Sequence, residues 1–299
     1  MRYITEAEVQ QVLDMPRAIG LMREAFGGLA ARSVVNQPRR RLILPTGSVL
    51  HYMAAGNARY YGAKVYATNP KTGAHFLFLL YRAEDAAPLA IIEASALGQI
   101  RTGAASGFAT DLLARPEAET LAIIGSGYQA ETQVAAVAAV RKLKEIRVWS
   151  RNPQHREAFA RKFKGGRAAE SAEAAIRGAD IVVTATNAKE PVFEAVWVAP
   201  GTHINATGSN QSNRRELPPE ILSRAALIAV DSLEQMEMES GDLLLARNEG
   251  KWNGDGVLEL ANVRGRTNPA DITIFKSNGL AIEDVAAAGW VYEQMQAGA

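Results

Sequence analysis

The chain has 299 residues, of which 47% are hydrophobic and 22% charged, and its formal net charge is +1. This composition is typical of a soluble globular protein with room for two domains, and it gives no reason to expect nucleic acid or a membrane as partner. No apolar run reaches the roughly 18 residues of a membrane-spanning helix, and the first residues lack a signal-peptide core. We therefore expect a cytoplasmic protein. Since there is no cysteine and the four histidines show no metal-binding spacing, we also expect no disulfide and no metal site.

The N-terminal third combines a helix with short strands. Helical spacing over residues 5–32 predicts one helix, and the strand-like runs after it are RRLIL, GAKVYAT, HFLFLLY and PLAIIEA. After Arg115-Pro116 the pattern changes to apolar strands that alternate with amphipathic helices. Strands of this kind, buried on both faces, indicate a parallel sheet. They are predicted over residues 120–125, 146–150, 180–186, 203–208 and 226–231.

A last strand, ITIFKS, precedes a final helix in GLAIEDVAAAGWVYEQM that we expect to return to the first part of the chain. The order of elements predicts an α/β fold with two domains. One is a Rossmann-type doubly wound parallel sheet domain over residues 115–280. The other is a smaller mixed α+β domain formed by residues 1–114 together with 281–299.

The stretch LAIIGSGYQA carries a Gly-x-Gly-x-x-Ala pattern between an apolar strand and an alanine-rich helix, which is the context of a dinucleotide fingerprint. Gly125 permits the tight turn, Gly127 lets the backbone approach a pyrophosphate, and Ala130 lets the helix pack closely on the strand. The helix N-terminus adds free N–H groups and a positive dipole. The alternative is a simple strand–helix turn. The residues predicted to bind the cofactor here are Gly125, Ser126, Gly127, Tyr128 and Gln129.

The next strand bears on the type of cofactor. It ends with Ser150, Arg151 and Asn152, where a site that prefers NAD usually has a carboxylate. A carboxylate would repel a 2′-phosphate, whereas serine and arginine can bind one. We therefore predict that NADP(H) is preferred and NAD(H) possible. The alternative is that Arg151 is a solvated loop charge.

Several cations upstream lie in apolar surroundings: Arg39, Arg40, Arg41, Lys64 and Arg101. Surface charges or ion pairs are the ordinary explanation of such residues, but together they would make a receptor for a carboxylate. A lysine among other cations has a lowered pKa, which suits proton transfer. For Arg101, in LGQIRTGAASG, the alternatives are an internal ion pair, an exposed helix start and a charge kept for an anionic ligand.

In several stretches, which follow one another in the same order, the sequence resembles the ornithine cyclodeaminase and mu-crystallin family. The stretches are GAKVYATNP, IRTGAASGFATDLLA, LAIIGSGYQA, VWSRNP, IVVTATNAKEPVF, INATGSN with RREL, VDSLEQMEMESGD and IFKSNGLAIEDVAAA. The resemblance implies a homodimer. In it, the first domain, completed by the last helix, would supply the subunit contact and the site for a small amino or imino acid with a carboxylate.

The resemblance also implies roles for single residues. Arg40 and Arg101 are expected to bind the substrate carboxylate, with Arg41 as the alternative to Arg40, and Lys64 is the expected active-site lysine. Arg101 is expected to start a helix at the domain junction, beside the nicotinamide. Asn278 is a further predicted substrate contact. Five further residues are expected to line the cofactor, and the alternative is that they are ordinary turn and capping residues. They are Thr186, Thr207, Gly208, Ser209 and Ser277.

Asn210 distinguishes reactions within the family. Ornithine cyclodeaminases have an aspartate at this position, and an asparagine neither carries charge nor accepts a proton at neutral pH. We therefore group Asn210 with the predicted catalytic residues, Lys64 and Arg101, and expect reduction of a cyclic ketimine. The alternatives are ornithine cyclodeamination, amino-acid dehydrogenation, and non-catalytic binding of NADPH or a small ligand.

Overall fold

The computed structural model describes residues 1–298 and divides them into two compact units. The first is Met1–Ala105 together with the chain from Gly279 onward, and the second is Ser106–Asn278. Both boundaries lie slightly before the predicted ones, which follow residues 114 and 280. The first differs because a continuous helix crosses the boundary, so no local sequence signal marks it. Residue 299, the last of the predicted range 281–299, lies outside the described residues.

The first unit contains a seven-stranded sheet in the order β1-β7-β6-β5-β4-β2, with β3 paired to β4. Strand β1 is parallel to β7, and the other pairs are antiparallel. The strands are β1 (Arg2–Ile4), β2 (Val35–Asn36), β3 (Arg40–Ile43), β4 (Val49–Gly56), β5 (Tyr60–Asn69), β6 (Gly73–Arg82) and β7 (Pro88–Glu93). The helices are α1 (Glu6–Val12), α2 (Met15–Ala30) and α3 (Ser95–Leu113).

The single helix predicted over residues 5–32 is wrong, because the chain forms two helices there. Thr5 and Glu8 make a capping box that starts α1. Asp14 caps α2 by accepting a hydrogen bond from the Arg17 N–H at 2.8 Å. Pro16, in the first turn of α2, has no N–H to donate to the preceding turn. The cap at Asp14 and the proline at position 16 therefore start a second helix, although the apolar residues keep a helical spacing from residue 5 to residue 32.

The second unit is built on an eight-stranded parallel sheet in the order β10-β9-β8-β11-β12-β15-β13-β14. Its strands are β8 (Thr120–Ile124), β9 (Glu145–Trp149), β10 (Gly166–Ala168), β11 (Ile181–Thr184), β12 (His203–Ala206), β13 (Ala225–Val230), β14 (Val257–Glu259) and β15 (Ile272–Lys276). The helices are α4 (Tyr128–Val140), α5 (Pro153–Ala160), α6 (Ala172–Ile176), α7 (Pro219–Arg224), α8 (Leu233–Glu239) and α9 (Gly241–Asn248), with short 3-10 turns at Ala195–Trp197 and Leu260–Asn262.

Both faces of this parallel sheet are buried, which confirms the predicted fold class. Along β8, Leu121 and Ile123 enter one hydrophobic core, while Ala122 and Ile124 enter the core on the opposite face. The strand order reverses between β8 and β11. Ligands of doubly wound sheets bind in the crevice at the carboxyl ends of the strands on either side of such a reversal. The predicted dinucleotide fingerprint directly follows β8.

The last helix, α10 (Ala281–Ala297), belongs to the first unit and packs against α2 and strands β4, β5 and β6. Trp290 fixes it to the N-terminal helices. Its indole N–H donates to the carbonyl of Val12 at 3.2 Å, and the Arg17 guanidinium lies 3.9 Å from the ring centroid. Within residues 1–298, no helix combines the length and the apolar character needed to cross a membrane.

We expect stability to fall in mild acid through His203 on β12. Its Nδ1 lies 3.0 Å from Thr273 Oγ1 and its Nε2 lies 3.2 Å from Asn205 Oδ1. Burial, reinforced by the charge of Arg266, lowers the pKa of His203 from 6.5 to about 3. Between pH 6.5 and about 3, His203 is protonated in the unfolded chain but remains neutral in the folded protein. The free energy of unfolding should therefore drop by up to about 1.4 kcal/mol per pH unit below the upper value.

The measurement is urea unfolding of the wild type and of His203→Gln at neutral pH and at mildly acidic pH. The variant lacks the titrating imidazole, so its stability should depend less steeply on pH than that of the wild type. His51, whose pKa burial lowers to about 4, contributes equally to both proteins. Parallel stability curves for the two proteins would show that His203 does not carry the effect.

Candidate active site

Two of the predicted cations of the first unit contact the same carboxylate, that of Asp284. Lys64 on β5 and Arg101 on α3 are each only 4% exposed. Lys64 Nζ donates to Asp284 Oδ1 at 3.1 Å, and Arg101 Nε donates to the same oxygen at 3.0 Å. Arg101 Nη1 donates to Glu283 Oε2 at 2.6 Å. Glu283 and Asp284, in the first turn of α10, are fully buried. Together with Arg39, which lies beside them, these four residues are called the cationic cluster below.

Local geometry explains why these side chains meet. Alternation along β5 turns Gly62, Lys64 and Tyr66 inward. On α3, a Cβ at Gly98 would lie 2.8 Å from Lys64 Nζ, so a glycine leaves room for the ammonium. Gly279 has φ +81°, and a Cβ there would collide with the Arg101 guanidinium. Glycines at both positions therefore make space for the two cations.

Arg101 does not start a helix, as the resemblance implied, but lies well inside α3. The helix begins at Ser95, where the Glu6 carboxylate accepts hydrogen bonds from the backbone N–H groups of Ser95 and Ala96 at 2.8 and 2.6 Å. Of the three alternatives for Arg101, the structure contains the internal ion pair. Within residues 1–298, Arg101 Nη2 and two of the three Lys64 N–H groups donate to no other residue. They remain available to a ligand.

The structure brings Arg39, rather than Arg40 or Arg41, to Lys64 and Arg101. Arg39 is 3% exposed, and its Nη2 donates to the Gly279 carbonyl at 3.3 Å. Arg40, the expected carboxylate ligand, is exposed on β3, and Arg41 is half-buried. Strand alternation separates Arg40 from both neighbours, but it does not tell which side of the strand faces the protein interior.

The electrostatics of the cationic cluster suit an anionic ligand and a proton transfer. Burial lowers the pKa of Lys64 to about 8, the Asp284 carboxylate opposes this, and the charges of Arg101 and Arg39 reinforce it. The Lys64 amine can therefore exchange a proton near neutral pH. The five side chains of the cluster, three cations and two carboxylates, sum to a formal charge of +1. A single carboxylate would neutralise it.

The turn between β8 and α4 in the second unit fits a dinucleotide. Gly125 has φ +117°, and a Cβ there would collide with the Ala185 carbonyl, so the tight turn requires glycine. Gly127 is the N-cap of α4, and a Cβ there would meet no atom within 4 Å. The N-cap makes no side-chain hydrogen bond to this helix, whose N-terminus offers N–H groups and a positive dipole to an anion. Of the other predicted residues, Tyr128 is exposed, whereas Ser126 and Gln129 are half-buried.

The predicted 2′-phosphate residues lie just after β9. Ser126 Oγ donates to Ser150 Oγ at 2.9 Å. Arg151 is exposed, and Asn152 caps α5 by accepting from the His155 N–H at 3.0 Å. Arg156 was not predicted, yet its Nη1 donates to the Ser150 carbonyl at 3.2 Å. Arg156 could have been identified from the sequence as a second candidate for the 2′-phosphate, because it lies in the first turns of the helix that follows Arg151.

Glu216, a buried residue that sequence reasoning missed, fixes the loops after β11 and β12. Its carboxylate accepts hydrogen bonds from Thr184 Oγ1 at 3.0 Å, from the N–H and Oγ1 of Thr186 at 2.7 Å each, and from the Gly208 N–H at 2.8 Å. Thr207 Oγ1 donates to the Thr184 carbonyl at 3.0 Å. Three of the predicted cofactor residues, Thr186, Thr207 and Gly208, are therefore held by one network.

A buried ion pair supports the same region. Lys276 Nζ donates to the Ser209 carbonyl at 2.6 Å and lies 3.1 Å from Asp242 Oδ2. Asp242 Oδ1 accepts from the Glu216 N–H at 2.6 Å. Burial, reinforced by Asp242, raises the pKa of Glu216. No sequence pattern distinguishes these carboxylates from solvated ones, because their lysine and hydroxyl partners are distant in the chain.

Asn278, Ser277 and Asn210 are also in the second unit. The Asn278 side-chain amide donates to Ser240 Oγ at 2.7 Å, and its backbone N–H donates to Asp231 Oδ2 at 2.5 Å. The Ser277 N–H donates to the Ala206 carbonyl at 3.1 Å, and Asn210 is half-buried in the loop after β12. In the part of the chain that the structure describes, no group of three acidic or histidine side chains could hold a metal ion.

Comparison with known proteins places these features in a family. The model of the ornithine cyclodeaminase/mu-crystallin family matches residues 2–299. The Δ1-pyrroline-2-carboxylate reductase of Bacillus cereus is 40% identical over 218 residues, which cover 69% of this chain and 67% of the relative. The structure of Thermococcus litoralis Δ1-pyrroline-2-carboxylate reductase with NADH and L-proline superimposes with a TM-score of 0.95 at 32% identity, covering 100% of this chain and 98% of the other. A dimeric archaeal alanine dehydrogenase with bound NAD gives 0.93 at 31% identity, covering 99% and 96%.

Proposed function

Because the chain belongs to the ornithine cyclodeaminase/mu-crystallin family, we propose that it reduces the C–N double bond of a cyclic ketimine with a nicotinamide cofactor. The substrate class is a small ring with one carboxylate, of the Δ1-pyrroline-2-carboxylate or Δ1-piperideine-2-carboxylate type. The observation that carries this proposal is the cationic cluster, which combines three buried cations and two carboxylates with a lysine whose pKa burial lowers to about 8. The relatives that reduce pyrroline-2-carboxylate support the same substrate class.

Arg101 and Arg39 bind the carboxylate in this proposal, with Arg39 in the role expected of Arg40. Within residues 1–298, Arg101 Nη2 donates to no other residue, while its Nε and Nη1 donate to Asp284 and Glu283. A guanidinium held in this way is preorganised for charge-assisted hydrogen bonds to a carboxylate. Little side-chain entropy is then lost on binding.

Lys64 supplies the proton. A bound nicotinamide cofactor would supply hydride to the imine carbon, and the turn at Gly125 and Gly127 would bind this cofactor. The Lys64 ammonium donates a proton to the imine nitrogen, so the C–N double bond becomes a CH–NH single bond. The resulting neutral amine of Lys64 regains its proton from water. One hydride and one proton are consumed for each cyclic amino acid formed.

The test is NADH and NADPH oxidation with Δ1-pyrroline-2-carboxylate and Δ1-piperideine-2-carboxylate, alongside ammonia release from L-ornithine. Oxidation with a ketimine and no ammonia from ornithine is expected. Ammonia release without net oxidation would replace the proposal with ornithine cyclodeamination, and it would show that Asn210 suffices where cyclodeaminases have aspartate. If the cofactor were oxidised with pyruvate and ammonia but with neither ketimine, the proposal would be replaced by amino-acid dehydrogenation. Cofactor binding without any turnover would favour a binding protein.

Cofactor preference follows from the end of β9, and we propose that NADPH is preferred to NADH. The double variant Arg151→Ala/Arg156→Ala should raise the KM for NADPH about 10- to 100-fold and leave the KM for NADH within about twofold, because only the 2′-phosphate loses its charge-assisted hydrogen bonds. Steady-state kinetics with both cofactors measures this. Arg161→Ala, at the far end of α5 and paired with Glu157, is the matched control. Equal loss with both cofactors would contradict the assignment.

We also propose that the outer face of the first sheet forms the contact of a homodimer. Exposed Leu50, Tyr52 and Leu77 lie on this face, and Tyr52 and Leu77 both pair with Val65 in the strand between them. Exposed apolar surface of this kind marks an interface, and a second copy is the occupant that the dimeric archaeal relative favours.

Leu77→Glu should convert the dimer into a monomer, because the two-fold symmetry of the interface buries the new charge twice, once from each subunit, in an apolar contact. Sedimentation at micromolar concentration distinguishes the two states, with the wild type at twice the mass of the chain. Val196→Glu replaces an exposed apolar side chain of the second unit and should remain dimeric. A monomeric wild type would refute the homodimer, and a dimeric Leu77→Glu would refute this face.

A further inference from the structure

A single oxygen of Asp284 accepts hydrogen bonds from two of the three cations of the cluster, Lys64 and Arg101. Asp284 Oδ1 accepts from Lys64 Nζ at 3.1 Å and from Arg101 Nε at 3.0 Å. Within residues 1–298, its other oxygen, Oδ2, is buried and accepts no hydrogen bond. The neighbouring Glu283 contacts Arg101 Nη1 but forms no ion pair with Lys64. The two adjacent carboxylates therefore have different geometric relations to the lysine.

We propose that Asp284 is a positioning residue, whose Oδ1 keeps the Lys64 amine in its ammonium form and orients the Arg101 guanidinium beside it. The inference rests on the proposed function, because it concerns the acid that protonates the ketimine nitrogen. Asp284 acts through Lys64 and Arg101 and need not touch the substrate.

The groups around Lys64 explain why we expect the Asp284 carboxylate to control its protonation. The charged groups that face Lys64 are those of Asp284 from α10, Arg101 from α3 and Arg39 before β3. The adjacent strands β4 and β6 place uncharged Met53 and Phe78 beside it. Burial and both arginines favour the neutral amine, and Asp284 is the charged group that favours the ammonium. Loss of this charge removes the carboxylate that contacts the ammonium, so burial and both arginines then shift Lys64 toward the neutral amine, although the rings of Tyr66 and Phe76, 6.0 and 5.6 Å from Nζ, still favour the ammonium.

The experiment compares Asp284→Asn with Glu283→Gln, two near-isosteric changes that each remove one carboxylate from Arg101. The pH dependence of kcat/KM for Δ1-pyrroline-2-carboxylate should fall on the alkaline side as Lys64 loses its proton. In Asp284→Asn this fall should begin about one to three pH units lower than in the wild type. In Glu283→Gln the pH at which kcat/KM begins to fall should shift by less than half as much as in Asp284→Asn. The substrate's own titration is the same for all three proteins and cancels in the comparison.

A second readout is independent of turnover. NMR titration of protein labelled with ¹³C at lysine Cε follows Lys64 itself, with Lys64→Met identifying its resonance. A lower titration midpoint in Asp284→Asn than in the wild type is expected. Should that variant not fold, Asp284→Ser removes the same charge with a smaller side chain and has the same expected result.

An unchanged Lys64 midpoint in the folded Asp284 variant would overturn the proposal, as would an equal shift in Glu283→Gln. If the wild type reduces no ketimine, the proposed function fails, while the NMR titration still decides whether Asp284 controls the protonation of Lys64. The two failures are therefore distinguishable.

Discussion

Arg101→Lys is expected to lower kcat/KM for Δ1-pyrroline-2-carboxylate about 100- to 1000-fold, which corresponds to about 3 to 4 kcal/mol. Lysine keeps the positive charge but lacks the planar fork that binds Asp284 and Glu283 on one side and a carboxylate on the other. Most of the loss should appear in KM, because the carboxylate is bound in the ground state as well as in the transition state. Steady-state kinetics at saturating cofactor measures it.

Arg141→Lys is the matched control for this loss. Arg141 is also a buried arginine, but it donates to the carbonyls of Thr110, Ala114 and Arg115 within the second unit. Its replacement should lower the melting temperature and leave the KM for the ketimine unchanged. Normal substrate affinity in Arg101→Lys would contradict the carboxylate-binding role, whereas a loss shared by both variants would point to general destabilisation.

Lys64→Met should reduce kcat about 100- to 10,000-fold, the range that a positioned general acid contributes. Methionine fills a similar volume among the apolar neighbours of the lysine, but it has no proton to donate. Cofactor affinity, measured by the fluorescence change of NADH on binding, should stay within about twofold of the wild type. The separation of kcat from cofactor binding is the expected signature of a lost proton donor.

Lys64→Arg separates charge from proton transfer. A guanidinium keeps the positive charge of the cluster, yet it does not release its proton at any working pH. This variant should bind pyrrole-2-carboxylate, a planar carboxylate that cannot be reduced in the same way, more tightly than Lys64→Met does. Its kcat should nevertheless stay close to that of Lys64→Met. Turnover near the wild-type level in Lys64→Arg would mean that another group protonates the nitrogen.

Much of the fold was predictable because its signals are local. The central strands of the parallel sheet are apolar runs bounded by turn residues, and the glycine pattern after β8 has a conformational cause in Gly125. Strand β4, with the sequence VLHYMAAG, was missed because its small and polar residues do not alternate clearly. The break after α1 is hidden because the apolar residues of α1 and α2 keep a helical spacing across it, and only the caps at Thr5 and Asp14 mark two separate helices.

The candidate site was predictable only in part because its contacts are distant in sequence. Lys64 and Asp284 are 220 residues apart, and Arg101 and Glu283 are 182 apart. In AIEDVAAA the two carboxylates have the normal appearance of acidic residues in the first turn of a helix, where the helix dipole favours them. Only the packing of α10 shows that they are buried against cations. The same packing, and not strand alternation, selects Arg39 over Arg40.

Helix α10 follows the second unit in sequence but belongs to the first unit, which has a consequence for biosynthesis. The helix contributes both carboxylates of the cationic cluster and packs on α2, β4, β5 and β6, which are made first. Until it leaves the ribosome, Lys64 and Arg101 lack the anions that compensate them. The second unit is continuous in sequence and can complete its core earlier. The first unit can therefore complete its core only after the whole of the second unit has been synthesised.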